Sequence, residues 1–196
     1  MTDKKTISIY DSKSCEYASL TNVNQPSKHL NAFMKEVTFG GTVLDLGCGP
    51  GVASAFLKRE GFKVVATDAS LEMIKIARIE NGIDALHQSF DDINWMNSFD
   101  GIWAHFSLLH ASQEMFPIHL DALYKALKPN GVFTIGMKIG KGEKRDDIGR
   151  FYAYYSEDQL LKYLKNSGYK IDEINYGEDI GLDGKLASWI IIRSHA

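Results

Sequence analysis

The chain has 196 residues, 44% of them hydrophobic and 24% charged, which suits one folded domain with a sizeable core. Its formal net charge of −3 gives no general attraction for nucleic acid, whose phosphates need a basic face. Two cysteines, Cys15 and Cys48, without Cys-x-x-Cys spacing, argue against a disulfide scaffold and a structural zinc site; with no apolar leader and no membrane-length apolar run, a cytoplasmic protein is expected.

The first 40 residues are mixed and polar, with aromatics at Tyr10, Tyr17, Phe33 and Phe39. They read as an N-terminal helical cap with a helix around Lys28 to Val37. Thr42 to Leu46 is a short apolar run ending in glycines, a strand followed by a tight turn. Val52 to Glu60 has helical spacing, closed by Gly61. Lys63 to Thr67 is a second buried strand, ended by Asp68. Ser70 can cap a helix over Leu71 to Glu80, and Asn81-Gly82 can stop it. Ile83 to Gln88 and Phe99 to His105 are the third and fourth strands. Leu120, Leu123 and Leu127 give Pro117 to Leu127 an apolar helical face, and Pro129-Asn130-Gly131 turns the chain into a fifth strand, Val132 to Met137. Lys138 to Arg150 is Gly-rich and charged, a loop or lid. Ser156 and Gln159 form a capping box for a helix to Asn166, and Ile171 to Tyr176 and Ala187 to Arg193 are two last strands. Alternating strands and helices mean a parallel sheet with helices on both faces. The last two strands lack an intervening helix and should form a hairpin, making one edge strand antiparallel.

The site signal is Asp45-Leu-Gly47-Cys48-Gly49-Pro-Gly51, between a strand and a helix. Glycines there allow a sharp bend and close approach of a ligand to the main chain. The following helix points its free N–H groups at the same place. Ligands of open parallel sheets bind beyond the carboxyl ends of the strands. Asp68, at the end of the next strand, can accept both hydroxyls of a ribose. A dinucleotide would need Gly-x-Gly-x-x-Gly and a cradle for pyrophosphate. The spacing here is Gly-x-Gly-x-Gly, and Asp45 is poor company for pyrophosphate. It suits a ligand with a cationic amino group and a sulfonium.

Val43 to Gly51 resembles the first motif of the class I S-adenosylmethionine-dependent methyltransferases. Val64-Val-Ala-Thr-Asp68-Ala69-Ser70 resembles their second motif, Phe99-Asp100-Gly-Ile-Trp103 their fourth-strand motif, and Leu127-Lys-Pro-Asn-Gly131 the turn before strand five, with Asn130 replacing its first glycine. The likeness runs from Thr42 to Arg193. It implies an α/β, Rossmann-like three-layer sandwich on a seven-stranded, mostly parallel sheet with an antiparallel edge strand. It also implies S-adenosyl-L-methionine as cofactor, with Asp45, Gly47, Cys48, Gly49, Asp68 and Ala69 in the binding loops. The acidic residue that the family places after strand three, against the adenine amino group, aligns with Ser89, followed by Phe90. Either Asp91 or Asp92 takes that role by a small shift, or the Ser89 hydroxyl and Phe90 backbone do.

Other residues carry a functional and a plain reading side by side. Met73 packs against adenine or fills the core. Tyr10 and Tyr17 fold over the sulfonium or are ordinary cap residues. His105 and His110 lie at the catalytic rim after strand four, where His110 could act as a general base and His105 could hold the cofactor; the plain reading of each is structural. Arg150 or Lys138 could grip an acidic acceptor from a lid spanning 138–155, with Tyr152 and Tyr155 as core beneath it. No Asn/Asp/Ser-Pro-Pro-Tyr/Phe motif follows strand four, so methylation of DNA bases or glutamine amides is disfavoured. The expected activity is in-line methyl transfer to a small-molecule acceptor, with some likeness to the tellurite-resistance branch. An arsenite-type reaction needs more cysteines than Cys15 supplies. The rivals are an RNA or protein methyltransferase, a non-catalytic binding protein of the same fold and, last, an NAD-dependent oxidoreductase. No membrane partner is expected.

Overall fold

The structure, a computed structural model, describes residues 2–196. It opens with three helices, α1 (Lys4–Ser12), α2 (Ser14–Thr21) and α3 (Lys28–Glu36). Asp3 caps α1 by accepting the Thr6 N–H at 2.8 Å, and Ser27 caps α3 by accepting the Leu30 N–H at 3.1 Å. Only α3 has a pronounced apolar face, through Leu30 and Phe33. Helix α1 buries just Thr6, and α2 just Ser14 and Ala18. That is why α3 alone stands out in the sequence while α1 and α2 do not.

The sheet then alternates with helices. Strand β1 (Thr42–Leu46) leads to α4 (Val52–Arg59), β2 (Lys63–Asp68), α5 (Leu71–Asn81) and β3 (Leu86–His87). Strand β4 (Phe99–His105), α6 (Phe116–Ala126) and β5 (Leu127–Lys138) follow. Next come a two-stranded ribbon, β6 (Gly142–Arg145) and β7 (Phe151–Tyr154), then α7 (Glu157–Asn166), β8 (Lys170–Ile180) and β9 (Leu186–His195). The seven-stranded sheet runs β3-β2-β1-β4-β5-β9-β8. All neighbours from β3 to β5 are parallel, and β9 is antiparallel to both β5 and β8. The final strands do form a hairpin; the antiparallel member sits one place in from the edge, because β8 folds back outside β9.

Period-two alternation distributes the strand side chains between two apolar layers. Val43 and Trp103 pack with α3 and α4 on one face. Leu44, Ile102 and Phe133 pack with Leu120 and Leu123 of α6 and with Leu160 and Leu164 of α7 on the other. The capping residues perform as expected. Ser70 accepts the Met73 N–H at 3.2 Å and Gly82 closes α5 at φ +64°, while Ser156 and Gln159 complete both bonds of their box.

Two segments differ from expectation. The third strand is only two residues long, because the chain turns away at residue 89 into a 3-10 turn over Phe90–Asp92. The segment from Lys138 to Arg150, expected as a loop, contributes β6, which pairs with β7 from Gly142↔Tyr154 to Arg145↔Phe151. Every side chain of β6 is exposed, so the sequence carries no alternation that would mark a strand. No helix among the described residues is long and apolar enough to cross a membrane.

Candidate active site

The carboxyl ends of β1, β2 and β4 converge on an open cleft of about 720 Å³. Its floor is the bend after β1. Gly47 adopts φ +69°, and a Cβ there would stand 2.5 Å from the Ser107 Cβ, so neither conformation nor space admits a side chain. Asp68 locks the bend to the next strand. One carboxylate oxygen accepts the Gly49 N–H at 2.8 Å and the other accepts the Ser70 N–H at 2.8 Å. A carboxylate has about four acceptor sites, so acceptor capacity remains for a ligand. Burial raises the Asp68 pKa, opposed by these backbone N–H groups.

Asp45 lies 2% exposed on the α4 side of β1 and accepts the Ser54 hydroxyl at 2.6 Å. Burial pushes its pKa up to about 7. It opens onto an adjoining space with Gly47, Cys48, Gly49, Trp103 and His105. Cys48 is buried, its thiol pKa raised by burial, and its N–H bonds Thr67 O at 2.9 Å, so it holds the bend in place. His105 stacks on Trp103 at 4.9 Å, and burial takes its pKa down to about 4, so the ring is neutral.

Ala69, Met73 and Phe90 line the cleft; Ser89 does not. The Ser89 hydroxyl caps its own turn, accepting the Asp91 N–H at 3.2 Å and donating to Asp92 at 2.8 Å. Asp92 also takes the Ser89 N–H at 2.7 Å, and Asp91 takes the Thr2 N–H at 2.7 Å. None of the three faces the cleft. Gln88 does, and its Oε1 is buried without a partner among the described residues. Thr67 and Ser107, which also line the cleft, carry unpartnered buried hydroxyls. Buried polar atoms without partners are rare in folded proteins, so three around one cleft mark it as built for a polar ligand. Gln88 stands one residue before the position that the family alignment marks, at the end of the expected third strand.

The three residues picked separately as Tyr10, His110 and Arg150 meet in one chain of hydrogen bonds. His110 Nδ1 lies 2.6 Å from the Phe151 carbonyl, which can only accept, so Nδ1 carries the hydrogen. Nε2 is then an acceptor, filled by the Tyr10 hydroxyl at 2.9 Å. The Tyr10 oxygen in turn accepts Arg150 Nη1–H at 2.9 Å, and Arg150 Nε–H donates to Asp146 at 2.8 Å. Burial pushes the His110 pKa down to about 3. The network also fastens α1 across the cleft. Arg145 pairs with Asp3 at 2.8 Å, and the Thr6 hydroxyl accepts the Phe151 N–H at 2.8 Å.

Beyond Tyr10, Tyr17 and Phe106 lies a second cavity of about 820 Å³, also lined by Lys138, Arg150, Tyr152 and Trp189. Phe106 reaches it from a left-handed backbone (φ +57°), a strained conformation for a non-glycine residue and one that accumulates at functional sites.

Residues 43–131 match the family model described as a methyltransferase domain. The cypemycin N-terminal methyltransferase of a Streptomyces species is 33% identical over 133 residues, 63% of this chain and 54% of that protein, so the chain spans about half of that relative. The ubiquinone biosynthesis O-methyltransferase of Xanthomonas axonopodis pv. citri is 31% identical over 89% of this chain and 87% of its own length. Among solved structures, the Burkholderia thailandensis 1,6-didemethyltoxoflavin-N1-methyltransferase, with 1,6-didemethyltoxoflavin and S-adenosylhomocysteine bound, has a TM-score of 0.77. The identity is 18%, over 97% of this chain and 87% of that one, a likeness of fold. The domain match falls on the strands that build the cleft, and the kinship to the ubiquinone enzyme runs along nearly all of both chains. The chain belongs to the class I S-adenosylmethionine-dependent methyltransferases.

Proposed function

We propose that the chain moves a methyl group from S-adenosylmethionine to a small-molecule acceptor. The observation that carries this reading is Asp68, fixed by Gly49 and Ser70 at the lip of a cleft where Thr67, Gln88 and Ser107 carry buried polar atoms without partners among the described residues. In this reading Asp68 takes the ribose hydroxyls, Gln88 the adenine amino group, and Phe90 and Met73 flank the ring. Asp45 and the glycine bend take the amino-acid end. When bound, the cofactor supplies an activated methyl on a sulfonium, with a neutral thioether as leaving group. The protein's part is to bring the acceptor into line, and positioning of this kind accounts for up to about 7–11 kcal/mol. Tyr10 and Tyr17 belong to both the cleft and the second cavity and mark the passage between them.

His110 positions Tyr10 and takes no proton. Both its nitrogens are occupied, and protonation would place an imidazolium near Arg150 in a buried site. Helices α1 and α2 serve as a lid over the cofactor within a single domain, and the β6–β7 ribbon serves as its support. A cavity of small-molecule size, walled by that lid, favours a metabolite over RNA or protein.

Calorimetry with S-adenosylhomocysteine and with NAD tests the cofactor. Methyl transfer from labelled S-adenosylmethionine into the small-molecule, RNA and protein fractions of a cell extract tests the acceptor class. Label confined to RNA or protein would overturn the small-molecule reading.

Asp45 adds a pH dependence. Its folded pKa of about 7 exceeds the ordinary 3.8, so its stabilising contribution to the ligand-free protein is present below about pH 4 and lost as pH rises through about 7. A cationic amino group beside it favours the ionised form. Cofactor binding near pH 6.5 should release a proton, and affinity should strengthen as pH rises toward about 8. Titrations in buffers of different ionisation enthalpy read the proton directly. Asp45→Asn should remove the release; if the release persists, it comes from another group.

A further inference from the structure

The second cavity contains one cation that makes no ion pair among the described residues. Its walls are mostly apolar or aromatic, including Phe106, Leu109, Tyr152, Leu182 and Trp189. Two cations reach it. Arg150 already has a counter-charge in Asp146, to which its Nε–H donates, and its Nη1–H goes to the Tyr10 hydroxyl. Lys138, at the end of β5, makes no such pair. Its ammonium sits 4.3 Å over the Tyr152 ring, half-buried, without an ion pair among the described residues. The nearby acids, Asp179 on the cavity wall among them, hydrogen-bond to other groups, and Asp183 acts on Lys138 only at longer range. Asp146 holds Arg150, Asp179 accepts the Trp189 indole N–H at 2.8 Å, and Asp183 faces the Lys185 N–H at 3.4 Å. Burial lowers the Lys138 pKa, opposed at longer range by the charge of Asp183, and Lys138 makes no direct ion pair among the described residues.

We propose that Lys138 is the anion-binding residue of the acceptor cavity, and that the acceptor is a small, flat, largely apolar molecule bearing a carboxylate. The inference rests on the methyltransferase reading above. The ring of the acceptor would lie in the space that Tyr152, Leu182 and Trp189 border, with its carboxylate on Lys138 Nζ. Lys138, Tyr152 and Leu182 border this cavity alone, whereas Tyr10, Tyr17 and Phe106 border the cofactor cleft as well. The carboxylate is thus a handle on the far wall, and the atom to be methylated lies toward Tyr10 and Phe106.

The test uses protein saturated with S-adenosylhomocysteine, titrated with benzoate, 2-naphthoate and indole-3-acetate and with the amide of each. At least one carboxylate should bind about tenfold more tightly than its amide, the worth of one charge-assisted bond. Lys138→Met should erase that preference, and Lys138→Arg should keep most of it. The proposal is overturned if no carboxylate outbinds its amide, or if the preference survives Lys138→Met. Uptake of S-adenosylhomocysteine is measured first. Its absence would sink the methyltransferase reading itself, whereas uptake without carboxylate preference sinks only the role of Lys138.

Discussion

Arg150→Met should cost about 3–5 kcal/mol of unfolding free energy, because it strands a buried carboxylate. The side chains of Arg150 and Asp146 are only 2% and 5% exposed, and their groups lie 2.8 Å apart. The guanidinium also lies between the Tyr10 and Tyr152 rings, 5.3 and 5.2 Å from their centres. Methionine fills much of the volume but leaves Asp146 uncompensated and the Tyr10 oxygen short of a donor. For a chain of this length the midpoint of thermal unfolding should fall by about 10 °C. Arg150→Lys keeps the charge without the fork that reaches both partners, so it should recover part of the loss. Pairing Arg150→Met with Asp146→Leu should recover most of it, since removing both charges is far less harmful than removing one. Chemical denaturation of the four proteins settles the matter. A loss below about 1 kcal/mol for Arg150→Met would mean that the pair is solvated, as surface ion pairs are.

Asp68→Ala should weaken S-adenosylhomocysteine binding by about a hundredfold or more. Two hydrogen bonds to an ionised acceptor are each worth about 1.5–3 kcal/mol, and every 1.4 kcal/mol is tenfold in affinity. The variant also frees the Gly49 and Ser70 N–H groups, loosening the bend that the ligand must meet. Asp68→Asn is informative for the same reason. Both oxygens of Asp68 face backbone donors, so an amide must point its NH2 at one of them, and the near-isosteric change should also be damaging. Asp84→Ala, which removes an exposed carboxylate paired only with Arg78, should leave affinity unchanged. Calorimetry on the three variants provides the check; unaltered binding by Asp68→Ala would remove the ribose contact from the mechanism.

The features visible in the sequence are those encoded by neighbours along the chain. The bend after β1, Asp68 after β2, the Ser70 cap and the Ser156–Gln159 box each depend on residues a few positions apart, and each was legible. Tyr10, His110 and Arg150 could be named one by one, but they lie 100 and 40 residues apart, and only folding shows that one proton sequence runs through them. Strand β6 was invisible because its exposed Gly-Glu-Lys-Arg has no buried face. Alignment counts positions, so it sets Ser89 with Phe90, or Asp91 or Asp92 by a small shift, at the adenine position and passes over Gln88. The 3-10 turn uses Ser89 for itself and leaves Gln88 lining the cleft.

Ser70 has a third partner besides Met73 and Asp68: its hydroxyl donates to Asp11 of α1 at 2.6 Å. The segment that follows Asp68 is therefore tied directly to α1, whose Tyr10 borders both compartments, so in the proposed reading their occupancies should be linked. Whichever guest arrives second meets a wall already ordered, so each should raise the affinity of its companion by an identical factor, as reciprocity demands.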